Sequence, residues 1–140
     1  MKISRLALAA TTAALLAPAA GAAQDAAAGE KAFRQCQSCH VVQAPDGTVL
    51  AGRNAKTGPN LYGVIGRQAG VVDGFRYGDA LVAAGEAGLV WDTDNMQAYL
   101  TDPTSFLRET LDDSSARSKM SYRLRRGADD MAAFLATFSE

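Results

Sequence analysis

Both cysteines and the single histidine of this chain fall within five consecutive residues, Cys36-Gln37-Ser38-Cys39-His40. On a helical turn, positions i, i+3 and i+4 share a face. One surface therefore offers two thiols and an imidazole, and no other Cys or His exists to build a comparable site elsewhere. A disulfide between the two cysteines would close so short a loop that little chain entropy is removed. A zinc site needs about four ligands, typically further Cys or His. A blue-copper site needs a second histidine. A thiol–disulfide centre is expected in a βαβ context that the sequence does not show.

A haem satisfies the spacing. Two thiols can add to the two vinyl groups on one porphyrin edge, and the tether then holds His40 under the iron. C-x-x-C-H is the attachment signal of c-type haem. Such attachment takes place outside the reducing cytosol, and the N-terminus agrees. Lys2 and Arg5 precede an apolar run from Leu6 to Ala17, then Pro18 and the small residues Ala19 to Ala23. This is the layout of a secretory leader, with cleavage expected after Ala23 or Ala22. A membrane anchor would need roughly 20 apolar residues. Residues 1–23 are therefore read as a cleaved leader and 24–140 as one mono-haem domain. Losing Lys2 and Arg5 takes the formal charge from −1 to −3, and nothing global points to nucleic acid.

Along the rest of the chain, Asp25 can cap a helix reaching about Gln37, with Gly29, Phe33 and Cys36 on one face. From Val41 to Gly74, repeated Gly with Pro45 and Pro59 reads as loops and turns. A long loop inside a compact domain suggests chain wrapped around something, and a haem offers that apolar surface. A short helix is expected near Asp79–Ala84. The next is capped at Asp92 or Thr93 and runs to about Thr101, and Pro103 then opens another at its first turn. Residues 112–121 read as loop. Met131, Phe134, Leu135 and Phe138 recur at i, i+3, i+4 and i+7 in a final amphipathic helix, with Asp129 and Asp130 at its positive end. No segment shows a strand period of useful length. The expected class is all-α, with about four to five helices and long loops around one covalent haem.

One histidine excludes two histidine ligands on the iron, so methionine or an open sixth position remains. Met131 lies in the apolar stripe of the last helix and reads as core. Met96 reads as core or surface. Met120 sits in a loop, in no helical stripe, after Ser118-Lys119; packing into the core is its plain alternative.

Taken together, "KAFRQCQSCH", "GRNAKTGPNLYGVIGR", "GFRYGDA", Trp91, "AYLTDP" and "SKMSY" resemble, in order, the soluble class I c-type cytochromes and among them the bacterial cytochrome c2 subgroup. The resemblance covers residues 25–140. It implies the cytochrome c fold, thioethers at Cys36 and Cys39, His40 as proximal ligand and Met120 as distal ligand. It further implies that the Pro59 carbonyl accepts the other N–H of His40. Arg67, Tyr77 and Trp91 would engage the haem propionates, and Tyr99 would lie near the distal sulfur. Gly29 and Phe33 would meet the last helix at Phe134 or Leu135. Ser118 stands where the family often has Thr, the segment from Pro103 to Met120 is longer than in the shortest members, and insertions fall near "QAPDGTVLA" and "AAGEAGL".

Charge is unevenly distributed. From Arg117 to Arg126 the sequence carries Arg117, Lys119, Arg123, Arg125 and Arg126 with no acid, whereas from Gln68 to Leu107 six acids accompany only Arg76. A run of charge is usually a solvated face, but this one surrounds Met120. The expectation is a periplasmic, monomeric one-electron carrier, not an enzyme, without a small-molecule substrate. It would dock transiently and electrostatically on membrane redox complexes. The resemblance implies a bc1-type donor, and a photosynthetic reaction centre or terminal oxidase as acceptor. The alternatives are a haem protein with an open or labile sixth site that binds ligands, or a donor dedicated to one periplasmic reductase.

Overall fold

The computed structural model describes residues 24–138; the expected leader lies outside them. Helix α1 (Ala26–Ala32) starts where Asp25 accepts hydrogen bonds from the amides of Ala27 and Ala28 at 2.9 and 3.2 Å. These are donors that a first helical turn cannot satisfy internally. The α-helix ends earlier than its composition suggests and tightens into a 3₁₀ turn, Phe33–Gln35. Backbone bonds then carry the chain on as separate turns: Cys36 N to Phe33 O at 2.8 Å, and His40 N to Cys36 O at 2.9 Å. Cys36 and His40 therefore keep the one-turn relation that the spacing requires.

A hairpin follows, β1 (Val41–Gln43) paired antiparallel with β2 (Val49–Gly52). This departs from the expectation of loops alone. The strands are short, the register slips between Val42 and Gln43, and Val41 and Val42 are both buried. No alternating pattern survives for a sequence to display.

The remaining elements are helical: α2 (Asp79–Glu86), α3 (Thr93–Thr101), α4 (Pro103–Leu111) and α5 (Ala128–Ala136). Asp92 caps α3 through Asn95 N at 2.7 Å, and Asn95 returns the bond to Asp92 N at 2.9 Å, a reciprocal capping box. Asp102 caps α4 through Ser105 N at 3.0 Å, with Pro103 in the first turn. Both caps set short helices at fixed places around the core.

Helices α1 and α3 pack on α5, and α2 and α3 on α4. The α1–α5 crossing is close because Gly29 has no side chain. A Cβ there would collide with the carbonyl of Asp130 and lie 2.7 Å from Phe134 Cβ. Beside it, the rings of Phe33 and Phe134 sit 5.6 Å apart at 55°, a tilted aromatic pair. Asp130 also accepts the Asp25 amide at 2.8 Å. Met131 and Leu135 are fully buried on the inner face of α5, as the stripe predicts.

Replacing Gly29 with valine should force the two helices apart and destabilise the holoprotein by about 1–3 kcal/mol, the usual cost of overpacking. Guanidinium unfolding measures it; an unchanged midpoint would show that the crossing can widen freely.

Candidate haem site

Cys36 and Cys39 are free thiols, Cys36 half-buried and Cys39 exposed. Burial, and secondarily the neighbouring Cys39, push the Cys36 thiol up to about 11, so it is neutral in this pocket. A neutral thioether suits the same surroundings without a desolvated charge.

His40 follows on the same turn. Its Nδ1 donates to the Pro59 carbonyl at 2.9 Å, as expected. With that nitrogen protonated, Nε2 carries the lone pair and can ligate a metal. Burial lowers the imidazole pKa, outweighing the Pro59 bond, which raises it; the ring stays neutral and able to bind. Gly58 lies flat against the ring: a Cβ there would sit 2.6 Å from Nδ1 and 2.8 Å from Nε2. The Gly58 amide donates to the Cys39 carbonyl at 2.7 Å.

Pro59 is held in place by its neighbour. Asn60 Oδ1 accepts from Gln43 N at 3.0 Å and Tyr62 N at 3.1 Å, while Asn60 Nδ2 donates to Gln43 O at 2.8 Å. This side chain stitches the loop onto β1. Gly58 and Asn60 are positioning residues that the sequence did not single out. Their only signal was a Gly-Pro-Asn run, which reads equally well as an ordinary turn.

Arg67 comes next. Its guanidinium donates to the carbonyls of Tyr62 at 2.8 Å and Asn60 at 3.1 Å. It is half-buried, which pulls its pKa down, and the Tyr77 phenol beside it pulls the other way. Among the described residues the one ion pair is Arg123–Asp102, so Arg67 has no acid partner among them. Trp91 is tied to it through the backbone, Trp91 N to Arg67 O at 2.9 Å. Arg67, Tyr77 and Trp91 are thus brought together around an uncompensated cation, where a carboxylate would be stabilised.

The distal wall is an aromatic cluster. Trp91 lies 5.0 Å from Tyr99 and 5.9 Å from Phe106, ring to ring. Tyr99 is buried, and its hydroxyl lies 3.1 Å from Ser118 Oγ. The Ser118 amide donates to Thr104 Oγ1 at 3.2 Å, and Lys119 Nζ to the Arg76 carbonyl at 2.7 Å. These bonds fix the chain just before Met120, which is half-buried against the core. Met96 and Met131 are 5% and 1% exposed within the core itself.

The chemistry of this donor set fits haem c: two thiols, one imidazole nitrogen with its partner nitrogen engaged, and an unpaired guanidinium. No group of three or more His, Cys, Asp or Glu gathers among the described residues.

The basic run is less uniform than its sequence suggests. Arg123 pairs with Asp102 at 3.1 Å, because a backbone bond from Leu124 N to Leu100 O at 2.8 Å lays this stretch along the end of α3. Arg117 Nη1 donates to the carbonyls of 114, 115 and 116. Arg125 and Arg126 are exposed.

No family model matches the chain. The cytochrome c-551 of Roseobacter denitrificans is 61% identical over 115 residues, 82% of this chain and 81% of that protein. The cytochrome c2 of Rhodobacter capsulatus is 49% identical over 137 residues, 98% of each. The solved structure of that cytochrome c2 superposes with a TM-score of 0.79 at 49% identity, covering 81% of this chain and 97% of its own. The ferric cytochrome c-550 of Paracoccus versutus superposes with a TM-score of 0.79 at 47% identity, covering 83% and 98%.

Gly58→Ala should displace the imidazole and weaken axial binding, at a cost of about 1–3 kcal/mol for the forced overlap. Absorption and electron paramagnetic resonance of the ferric protein report it as loss of a pure low-spin signal. A spectrum and stability like those of the unaltered protein would show that the loop yields instead.

Proposed function

The chain belongs to the cytochrome c2 family of class I c-type cytochromes, electron carriers with one covalently attached haem c, and from this premise we propose a periplasmic carrier with His40 and Met120 as axial ligands. The observation that carries the ligand assignment is the placement of the methionines. Met96 and Met131 are used up in the core, while Met120 stands half-buried in a loop tied through Ser118 to Tyr99.

The haem supplies a one-electron couple. Cys36 and Cys39 hold it covalently through thioethers. Pro59 orients His40 and fixes its tautomer, which would also make the imidazole a more basic ligand. The Met120 thioether favours the ferrous state and raises the potential. Arg67, Tyr77 and Trp91 offer charge and hydrogen-bond donors to the propionates. His40 and Met120 together would leave an iron held there no free position for a substrate, which is why the reading is a carrier and not an enzyme.

Residues 1–23 act in this reading as a cleaved secretory leader, cut near Ala23, and 24–140 as the single haem domain. No helix among the described residues is long and apolar enough to cross a membrane. The partners are membrane redox complexes: a bc1-type donor, and a photosynthetic reaction centre or terminal oxidase as acceptor. A monomer meets them through Arg117, Lys119, Arg123, Arg125 and Arg126. The Arg123–Asp102 pair is exposed and so weak that an acidic partner surface can compete for the guanidinium. Arg125 and Arg126 carry no such pair among the described residues.

Carbon monoxide added to the reduced protein should leave its spectrum unchanged, and Met120→Ala should bind the gas rapidly. Binding by the unaltered protein would mean an open or labile sixth site and would overturn the carrier reading. Electron transfer to an isolated membrane acceptor should slow as salt rises, because screening weakens steering. Arg125→Glu with Arg126→Glu should slow it at low salt by about tenfold or more and flatten the salt dependence. A rate indifferent to both would remove the basic run from docking.

A further inference from the structure

Tyr122 stands two residues after Met120, and its hydroxyl donates to Gln35 Oε1 at 2.6 Å, across 87 positions of sequence. Gln35 immediately precedes Cys36. The bond therefore joins the segment that carries the first thioether cysteine to the loop that carries Met120. We propose that the Tyr122–Gln35 pair is a latch that holds the Met120 loop shut and sets how often it lifts; this rests on Met120 being the distal ligand.

The ties on the two sides of Met120 are unequal. On the N-terminal side, Ser118 is bonded to Tyr99 and Thr104, and Lys119 reaches the Arg76 carbonyl. On the C-terminal side, Ser121 to Arg123 form no regular structure, and their backbone makes no described hydrogen bond before Leu124 N meets Leu100 O. Across that gap the side-chain ties are Tyr122–Gln35 and the surface pair Arg123–Asp102. Tyr122 is 43% exposed and does not belong to the buried cluster, so packing alone does not fix it. Its hydroxyl is the group that reaches the far side. Arg123 is anchored at the α3–α4 junction and ties the loop to the distal wall only. Tyr122 ties it to the opposite one. A loop fastened to the distal wall at Ser118 and at Leu124, and clasped to the opposite wall by one exposed bond, lifts as a flap between those two fastenings.

The test uses ferric holoprotein and imidazole as an incoming ligand. At saturating imidazole, the rate of displacing Met120 equals the rate at which the loop opens. Tyr122→Phe keeps the ring and removes only the hydroxyl, and Gln35→Leu removes the acceptor. Each should raise the limiting rate by about three- to tenfold, the range one net hydrogen bond allows. The double variant should match either single variant within about twofold, since both remove the same bond. Global unfolding midpoints should stay with the unaltered protein, because the bond is exposed and lies outside the core. A change under about twofold in either single variant, multiplication of the two effects in the double, or a midpoint that falls in step with the rate would each overturn the latch. If the unaltered protein never saturates with imidazole, opening is not the limiting step and the latch fails, while the Met120 assignment is judged separately by the carbon monoxide test.

Discussion

The orientation of one imidazole ring organises the proximal half of this protein. To hold iron as proposed, His40 would present Nε2 with Nδ1 occupied, and the Pro59 carbonyl occupies Nδ1. Proline has no N–H, and its carbonyl here points inward at the ring. That demand propagates outward. The chain beside Pro59 has to approach the ring edge-on, and only glycine at 58 leaves the room. The carbonyl has to stay put, and Asn60 pins it by three bonds to β1 and the following turn. The backbone oxygen of Asn60 in turn accepts from Arg67, so the residue that steadies the histidine also seats the unpaired guanidinium. Irregular chain from 53 to 67 is the consequence: no regular element places a carbonyl, a flat glycine and an arginine at these angles in so few residues.

The helices supply the frame against which that loop is stiff. Helix α5 lies against both α1 and α3. The first of these leads directly into the cysteine segment, and the second carries Tyr99 into the distal wall. One buried helix therefore holds the proximal and distal sides at a fixed separation. Gly29 is the condition for that closeness on one side, and the aromatic group of Trp91, Tyr99 and Phe106 fills the other. Such a frame suits an electron carrier, whose two oxidation states should differ little in structure.

Local and periodic features were legible in the sequence. The cysteine–histidine cluster, the caps at Asp25 and Asp92, Pro103 in the first turn of α4, and the α5 stripe each rest on interactions within a few residues, and each is present in the structure. Residues 41–52 were not legible as a hairpin, because both valines of β1 are buried and a bulge breaks the register. The end of α1 was placed too late. Its composition favours helix up to Gln37, but the turn geometry of Cys36 to His40 overrides propensity. Asn60 was missed for a different reason. An asparagine after proline is common turn chemistry, and only the fold reveals that its side chain bonds to Gln43, 17 positions away. Arg123 was read as unopposed because Asp102 is remote in sequence. The last two misses are long-range contacts between polar groups, which leave no period to detect.

The loop from 112 to 127 joins two roles that are often separate. It carries the methionine assigned to the iron, and it carries the five cations assigned to docking. Asp102 lies where the two meet. One carboxylate oxygen caps α4, the helix that leads into this loop, and the other pairs with Arg123 on its far side. A partner's acidic surface that draws Arg123 away would leave the cap in place and release only the exposed arm of the loop. The cap bond is local and partly buried, while the ion pair is exposed and screened. Docking can therefore rearrange the charged rim without unwinding α4 or loosening Thr104, which holds Ser118 from the first turn of that helix. Separating the two carboxylate oxygens in this way would let the proposed docking surface share a loop with the proposed iron ligand without drawing on the bonds that place it.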